Sequence, residues 1–197
     1  MINRKFFFDY ARTQLFDGTM NSKRVQGLTA ILDEWEKSHS KKDDRWLAYM
    51  LATVHHETNR TFRPLEEYGK GRGKPYGMRL KMEKDKNGNR LHYTNTNQLF
   101  YGRGFVQLTW YENYELAGKK LNQNFLQDAS GVMRMDNAVK IIFSGMMEGW
   151  FTGKKLSDYF NKKKELWISA RQIINGTDKA ELIKTYALQY YACISYK

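Results

Sequence analysis

Trp46-Leu47-Ala48-Tyr49-Met50-Leu51-Ala52-Thr53-Val54-His55-His56-Glu57-Thr58 reads as one amphipathic helix. Leu47, Met50, Leu51 and Val54 recur at spacings of three and four and mark its buried face. At 100° per residue, Glu57 falls almost directly above Met50, at the edge of that stripe. A carboxyl in such a place is short of water, and a carboxyl short of water tends to keep its proton. That is the equipment of a general acid.

Working outward, Val25, Leu28, Ile31, Leu32 and Trp35 mark an earlier helix, with Ser22 as the expected N-cap. Residues 39–44 are a polar connection. After Glu57 the periodicity breaks. Residues 59–103 hold both prolines, Pro64 and Pro75, and many glycines. This stretch reads as an irregular lobe of the kind that carries function. Lys86-Asn87-Gly88-Asn89 signals a small hairpin within it. Helical spacing returns at Ala138, Ile141, Ile142, Met146 and Trp150, with an end expected near Gly153. It recurs at Leu166, Ile168, Ile173 and Ile174, and again from Asp178 through Leu182, Ile183, Tyr186, Tyr190 and Ile194. The expected fold class is mainly α, one domain over residues 1–197 with an irregular glycine-rich cleft region.

The chain of 197 residues is 41% hydrophobic and 15% aromatic, enough for a core. A single cysteine, Cys193, excludes an internal disulfide and suits a reducing compartment. No apolar run reaches the ~18 residues of a membrane span. The Met1–Asp9 stretch resembles a signal peptide only briefly, because Asp9, Tyr10 and Arg12 end it too soon. A net charge of +12 favours anionic partners. Residues 63–90 alone carry nine Lys/Arg against four Asp/Glu.

Several motifs fail. His56-Glu57-Thr58-Asn59-Arg60 lacks the second histidine of a helix-borne zinc site, and four histidines with one cysteine make a structural metal site a poor reading. Gly69-Lys70-Gly71-Arg72-Gly73-Lys74 lacks the phosphate-loop spacing, and Pro75 replaces its Ser/Thr, which leaves a flexible basic loop. The carboxylates hold more. Glu57 is followed by Glu66 and Glu67, the latter in a loop with Arg63, Lys70 and Arg72, whose cations favour an ionised base. Two carboxyls in unlike surroundings are the minimum for glycoside hydrolysis. A pair like this on its own is more often surface charge. Tyr101-Gly102-Arg103-Gly104-Phe105-Val106-Gln107-Leu108-Thr109-Trp110 adds weight. Gln107 and Thr109 alternate with Val106 and Leu108, and Gln107 and Asn113 offer amides to sugar hydroxyls. Trp110, Tyr111 and Tyr114 offer flat faces to sugar rings or fill a core.

In order and spacing, His56-Glu57-Thr58, Pro64-Leu65-Glu66-Glu67, Tyr101-Gly102-Arg103-Gly104 with Gln107-Leu108-Thr109 and Asn113-Tyr114, and Ile173-Ile174-Asn175-Gly176 resemble the family 19 glycoside hydrolases, in particular their bacteriophage endolysin branch. Leu15-Phe16-Asp17-Gly18 and Val25-Gln26-Gly27-Leu28 fit the same resemblance. It implies a lysozyme-like, two-lobed helical fold with no separate wall-binding module. It implies Glu57 as general acid, Glu67 as general base with Glu66 as the fallback, and Thr109 holding the attacking water. Tyr101, Arg103, Gln107, Asn113 and Asn175 become substrate contacts. The implied reaction is inverting hydrolysis of the peptidoglycan glycan strand, without metal or organic cofactor. A monomer is expected, made in the host cytoplasm without a signal peptide and passed to the wall through a holin-type pore, with attraction to anionic envelope surfaces and no specific nucleic acid. A chitinase is the nearest alternative. A basic nucleic-acid binder and a membrane-disrupting C-terminal helix are the others.

Overall fold

The computed structural model describes residues 1–196. The chain is mainly helical, with seven α-helices and three two-stranded ribbons among these residues. It divides into two compact units: residues 1–63 together with residues 142 onward, and Pro64–Ile141.

The first unit is built on α1 (Arg4–Leu15), α2 (Ser22–Glu34), α3 (Asp44–Glu57), and α7 (Ala180–Ser195), with α3 and α1 both packed on α7. The predicted helix before Glu57 is α3, capped by Asp43, whose carboxylate accepts from the Arg45 backbone N–H. Its burial exceeds the predicted stripe. All nine residues from Leu47 to His55 are buried, so α3 is a central core helix rather than a one-sided surface one. Ala48 and Ala52 keep it slim enough to be surrounded.

Four expectations about the helices change. The N-cap of α2 is Asn21, not Ser22. The brief apolar start at Met1–Asp9 runs into α1, with Phe7, Ala11 and Leu15 buried at four-residue spacing. The helix expected to reach Gly153 is α5 (Met135–Glu148). It stops because Gly149 adopts a positive φ of 81°. The periodicity at 166–174 is not an α-helix. A short α6 (Leu156–Tyr159) precedes a ribbon of β5 (Phe160–Asn161) and β6 (Lys164–Glu165), and then a 3-10 turn spans Ser169–Ile173. Trp167, Ala170 and Ile173 are buried at the three-residue spacing of that tighter turn.

His55 sits deep in this core. Its Nδ1 lies 2.9 Å from the Tyr190 hydroxyl, its ring is within 4.2 Å of Tyr186 and 5.2 Å of Phe16 (centroids), and its Nε2 has no partner among the described residues. Burial pushes its pKa down to about 3. The unfolded chain therefore binds a proton that the folded chain refuses between the ordinary histidine value and about 3. Stability is expected to fall as pH drops through that window, by about 1.4 kcal/mol per pH unit from this residue. Urea unfolding at neutral and mildly acidic pH measures it, and His55→Gln, which keeps a partner for Tyr190, should flatten that slope.

The second unit holds the other two ribbons and α4 (Tyr111–Leu121). In chain order its strands are β1 (Leu65–Glu66), β2 (Leu80–Lys84), β3 (Arg90–His92) and β4 (Arg103–Gly104). β1 and β4 pair antiparallel, with Leu65 opposite Gly104 and Glu66 opposite Arg103. The predicted hairpin is β2/β3. Its turn is made by the Asp85 carboxylate, which accepts from the N–H groups of Asn87 and Asn89 at 2.8 and 2.9 Å, and by Gly88 at φ 83°. The basic run 69–74, expected to be flexible, is a chain of hydrogen-bonded turns. Lys70, Arg72 and Lys74 donate their N–H groups to the carbonyls of Glu67, Gly69 and Gly71. A Cβ on Gly77 would lie 2.0 Å from the Gly71 carbonyl oxygen, so only glycine fits that crossing.

Candidate active site

Glu57 is the last residue of α3. Thr58 ends the helix: its hydroxyl donates back to the Val54 carbonyl at 2.7 Å and accepts the Phe62 N–H at 3.0 Å. This turns the chain sharply and leaves Glu57 at the helix tip. The Glu57 side chain is 16% exposed. Its Oε1 accepts from the Arg171 guanidinium at 2.7 Å, while Oε2 has no protein partner among the described residues. The sequence reading placed Glu57 against apolar residues alone, and Arg171 corrects it.

Arg171 is only 4% exposed at its side chain and also donates through Nε to the Asp178 carbonyl at 3.0 Å. The apolar spacing of the 166–174 run predicts a buried helix and so hides the arginine. An arginine inside an apolar run was the available signal, since a buried guanidinium must find a carboxylate or carbonyls. The Asn175 N–H bonds the Arg171 carbonyl at 3.0 Å, so the exposed Asn175 shares the turn that carries the arginine. Burial is the main reason the His56 ring lies below the ordinary histidine range, which keeps it neutral beside Glu57 at neutral pH.

In the second unit the two adjacent glutamates have different partners. Glu66 Oε1 accepts from the Tyr101 hydroxyl at 2.5 Å and from Arg103 Nε at 3.2 Å, and Lys70 stands 3.6 Å from Oε2. The Tyr101 hydrogen bond is the largest reason its pKa falls below the ordinary glutamate value, with Arg103 and Lys70 adding to it against some desolvation. Glu67 is tied to the ribbon instead. Its backbone N–H donates to the Gly102 carbonyl at 2.8 Å, and its carboxylate accepts from the Gly102 N–H at 3.1 Å and the Tyr76 hydroxyl at 3.2 Å.

Tyr101 and Arg103, expected as substrate contacts, are buried and spent on protein partners. Arg103 also donates to the Leu99 carbonyl at 2.8 Å and the Tyr114 hydroxyl at 3.1 Å, and its guanidinium lies 3.6 Å from the Tyr101 ring centroid. Both fix Glu66. Gln107 does not continue an alternating strand. Its φ is 52°, and the chain folds back so that Arg103 and Leu108 exchange backbone hydrogen bonds at 2.8 and 3.2 Å. The Gln107 amide donates to the Leu65 carbonyl at 3.1 Å. Thr109 is half-buried, and its hydroxyl makes no protein hydrogen bond among the described residues. The Asn113 amide donates to the Thr109 carbonyl at 2.8 Å, so these two expected site residues are joined.

Tyr111 and Tyr114 are buried core residues, Tyr111 stacked on Tyr93 and Tyr114 tilted against Phe100, so they pack the interior rather than offer faces to sugar. Trp110 is half-buried, with the Arg90 guanidinium 4.4 Å from its ring centroid. Tyr68, next to Glu67, is fully exposed to solvent.

No family model and no curated protein sequence matches the chain. Solved structures do. Chitinase C from Streptomyces griseus matches with a TM-score of 0.61 at 20% identity, over 98% of this chain and 76% of that one. The fold is that of the family 19 chitinases. A bacterial family 19 chitinase matches with a TM-score of 0.53 at 18% identity over 100% of this chain and 96% of that one. A class IV family GH19 chitinase from Zea mays gives 0.51 at 15% identity over 95% and 90%. The expected mainly helical, lysozyme-like class is what the structure has.

Proposed function

We propose that the chain is a glycoside hydrolase acting by single displacement on the glycan strand of peptidoglycan, as a phage-type endolysin. The observation that carries the reading is Glu57. It is a half-buried carboxyl at a helix tip, one oxygen held by a buried arginine and the other free, on a fold otherwise seen in family 19 chitinases. In this reading Glu57 gives its proton to the glycosidic oxygen as the C–O bond breaks. A water oxygen bonds to the anomeric carbon from the opposite face, and a carboxylate takes the water's proton. Inversion asks for roughly 6.5–9.5 Å between the acid and the base.

The base role moves from Glu67 to Glu66. A base must be ionised before the reaction, and Tyr101, Arg103 and Lys70 hold Glu66 in that form with Oε2 facing only a flexible lysine. Both Glu67 oxygens are occupied by neutral donors, the Tyr76 hydroxyl and the Gly102 N–H. The free Thr109 hydroxyl suits the orientation of water, and Asn113 and Asn175 remain amide contacts for acetamido groups. No metal ion or organic cofactor enters this scheme. Export through a holin-type pore and attraction to anionic envelope polymers belong to the same reading.

The rival substrate is chitin, favoured by the chitinases that share the fold. Mass spectrometry of digested sacculi and of chitin oligomers separates the two. New reducing ends on muramic acid are expected. Cleavage of chitin with intact sacculi would make the protein a chitinase, and cleavage of neither would remove the enzymatic reading. Tyr68 is expected to pack on a sugar ring near the reacting bond, since two residues span at most about 7 Å from Glu66. Tyr68→Ala should raise KM roughly threefold to tenfold with little change in kcat, and Tyr68→Trp should restore it.

A further inference from the structure

A second surface of the first unit is built from β5, β6 and the segment that follows. Lys154, Lys155, Lys162, Lys163 and Lys164 are all exposed, and Lys162 and Lys163 form the tip between the strands. The neighbouring carboxylates are engaged. Asp158 accepts from the Lys155 N–H at 3.0 Å, and Glu165 accepts from the Trp167 indole at 2.8 Å and lies 3.4 Å from Arg45. Glu181 lies 3.5 Å from Lys184.

Beside the lysines lie aliphatic side chains in water. Leu166 and Ile168 are 42% and 41% exposed, while Trp167 between them is buried. Leu166, Ile168, Ser169 and Lys184 line one shallow depression of about 310 Å³. Leu188, four residues beyond Lys184 and so on the same face of α7, is exposed to the same degree. Lysines alone would suit any polyanion. Three aliphatic side chains set among them gain nothing from a hydrated polymer, but they gain burial at the acyl boundary of a bilayer. We propose that this face docks on an anionic phospholipid surface, with Lys162, Lys163 and Lys164 at the phosphates and Leu166, Ile168 and Leu188 entering the interface. The proposal does not depend on the glycosidase reading.

Co-sedimentation of the full chain with phosphatidylglycerol–phosphatidylethanolamine vesicles, against phosphatidylcholine vesicles, tests it. Binding to the anionic vesicles alone is expected, falling with salt and on the order of fivefold per lysine changed to glutamine. Leu166→Ser, Ile168→Ser and Leu188→Ser together should weaken binding roughly tenfold or more while melting and hydrolysis of soluble glycan fragments stay unchanged. Ile168→Ser alone gives a smaller loss and serves if the triple variant misfolds. Leu182→Ser, on the opposite face of α7, should change nothing. The proposal is overturned if anionic vesicles are not bound, or if the serine variants bind as well as the parent. It is equally overturned if soluble polyphosphate competes fully while the serine variants keep their affinity. A dimer that the serine changes dissociate would assign the face to a second copy instead.

Discussion

Glu57→Gln is expected to abolish glycan cleavage, lowering kcat by roughly 10³-fold or more, with the fold intact. Glutamine still offers Arg171 a carbonyl oxygen at the place of Oε1, so the buried guanidinium keeps a partner. What disappears is the proton that the leaving oxygen requires. Glu57→Ala makes a useful contrast, because it strands a guanidinium that is 4% exposed and should cost about 3–5 kcal/mol of stability as well. Turnover of purified sacculi together with thermal melting separates the two effects. Normal turnover by Glu57→Gln would remove the residue from the chemistry.

Glu66→Gln should be nearly as damaging, with a loss of roughly 10²–10⁴-fold, because no group would remain to take the proton from water. Glu67→Gln should keep most of the activity and show its effect as a lower melting temperature, since the Gly102 N–H and Tyr76 hydroxyl lose a charged acceptor. The opposite pattern would return the base role to Glu67. A pH profile adds an independent reading. The folded pKa of Glu66 is lowered, so the carboxylate stays active down to pH values below the ordinary glutamate range, and activity is lost only as pH falls through that lowered value. Tyr101→Phe removes the largest cause of the lowering. The acid limb of kcat/KM should then move up toward the ordinary glutamate value.

The path from sequence to site succeeded where the signal was local. The turn at Asn87-Gly88 needed only an Asp and a glycine with positive φ, and it was legible. The end of α3 at Glu57 was legible too, since the helical pattern runs out there. Failures came where a distant partner decides. Arg171 meets Glu57 across 114 residues of chain, so no window of sequence contains the pair. Tyr101 and Arg103 were expected as substrate contacts from the family resemblance. Only the β1/β4 register, which sets Arg103 opposite Glu66, shows that they hold a carboxylate instead.

Periodicity and turn chemistry thus determined by themselves a mainly helical chain with an irregular middle, and they singled out Glu57 and the Glu66/Glu67 pair, whereas Thr109 came from the family resemblance. Those signals arise within a few residues, from backbone sterics and the 3.6-residue repeat. Which of two adjacent glutamates is braced by a tyrosine and an arginine, and which is sewn to a backbone amide, was left to the tertiary structure. A one-residue step along a strand reverses the direction of a side chain, and only pairing with a remote segment supplies the neighbours that set its charge.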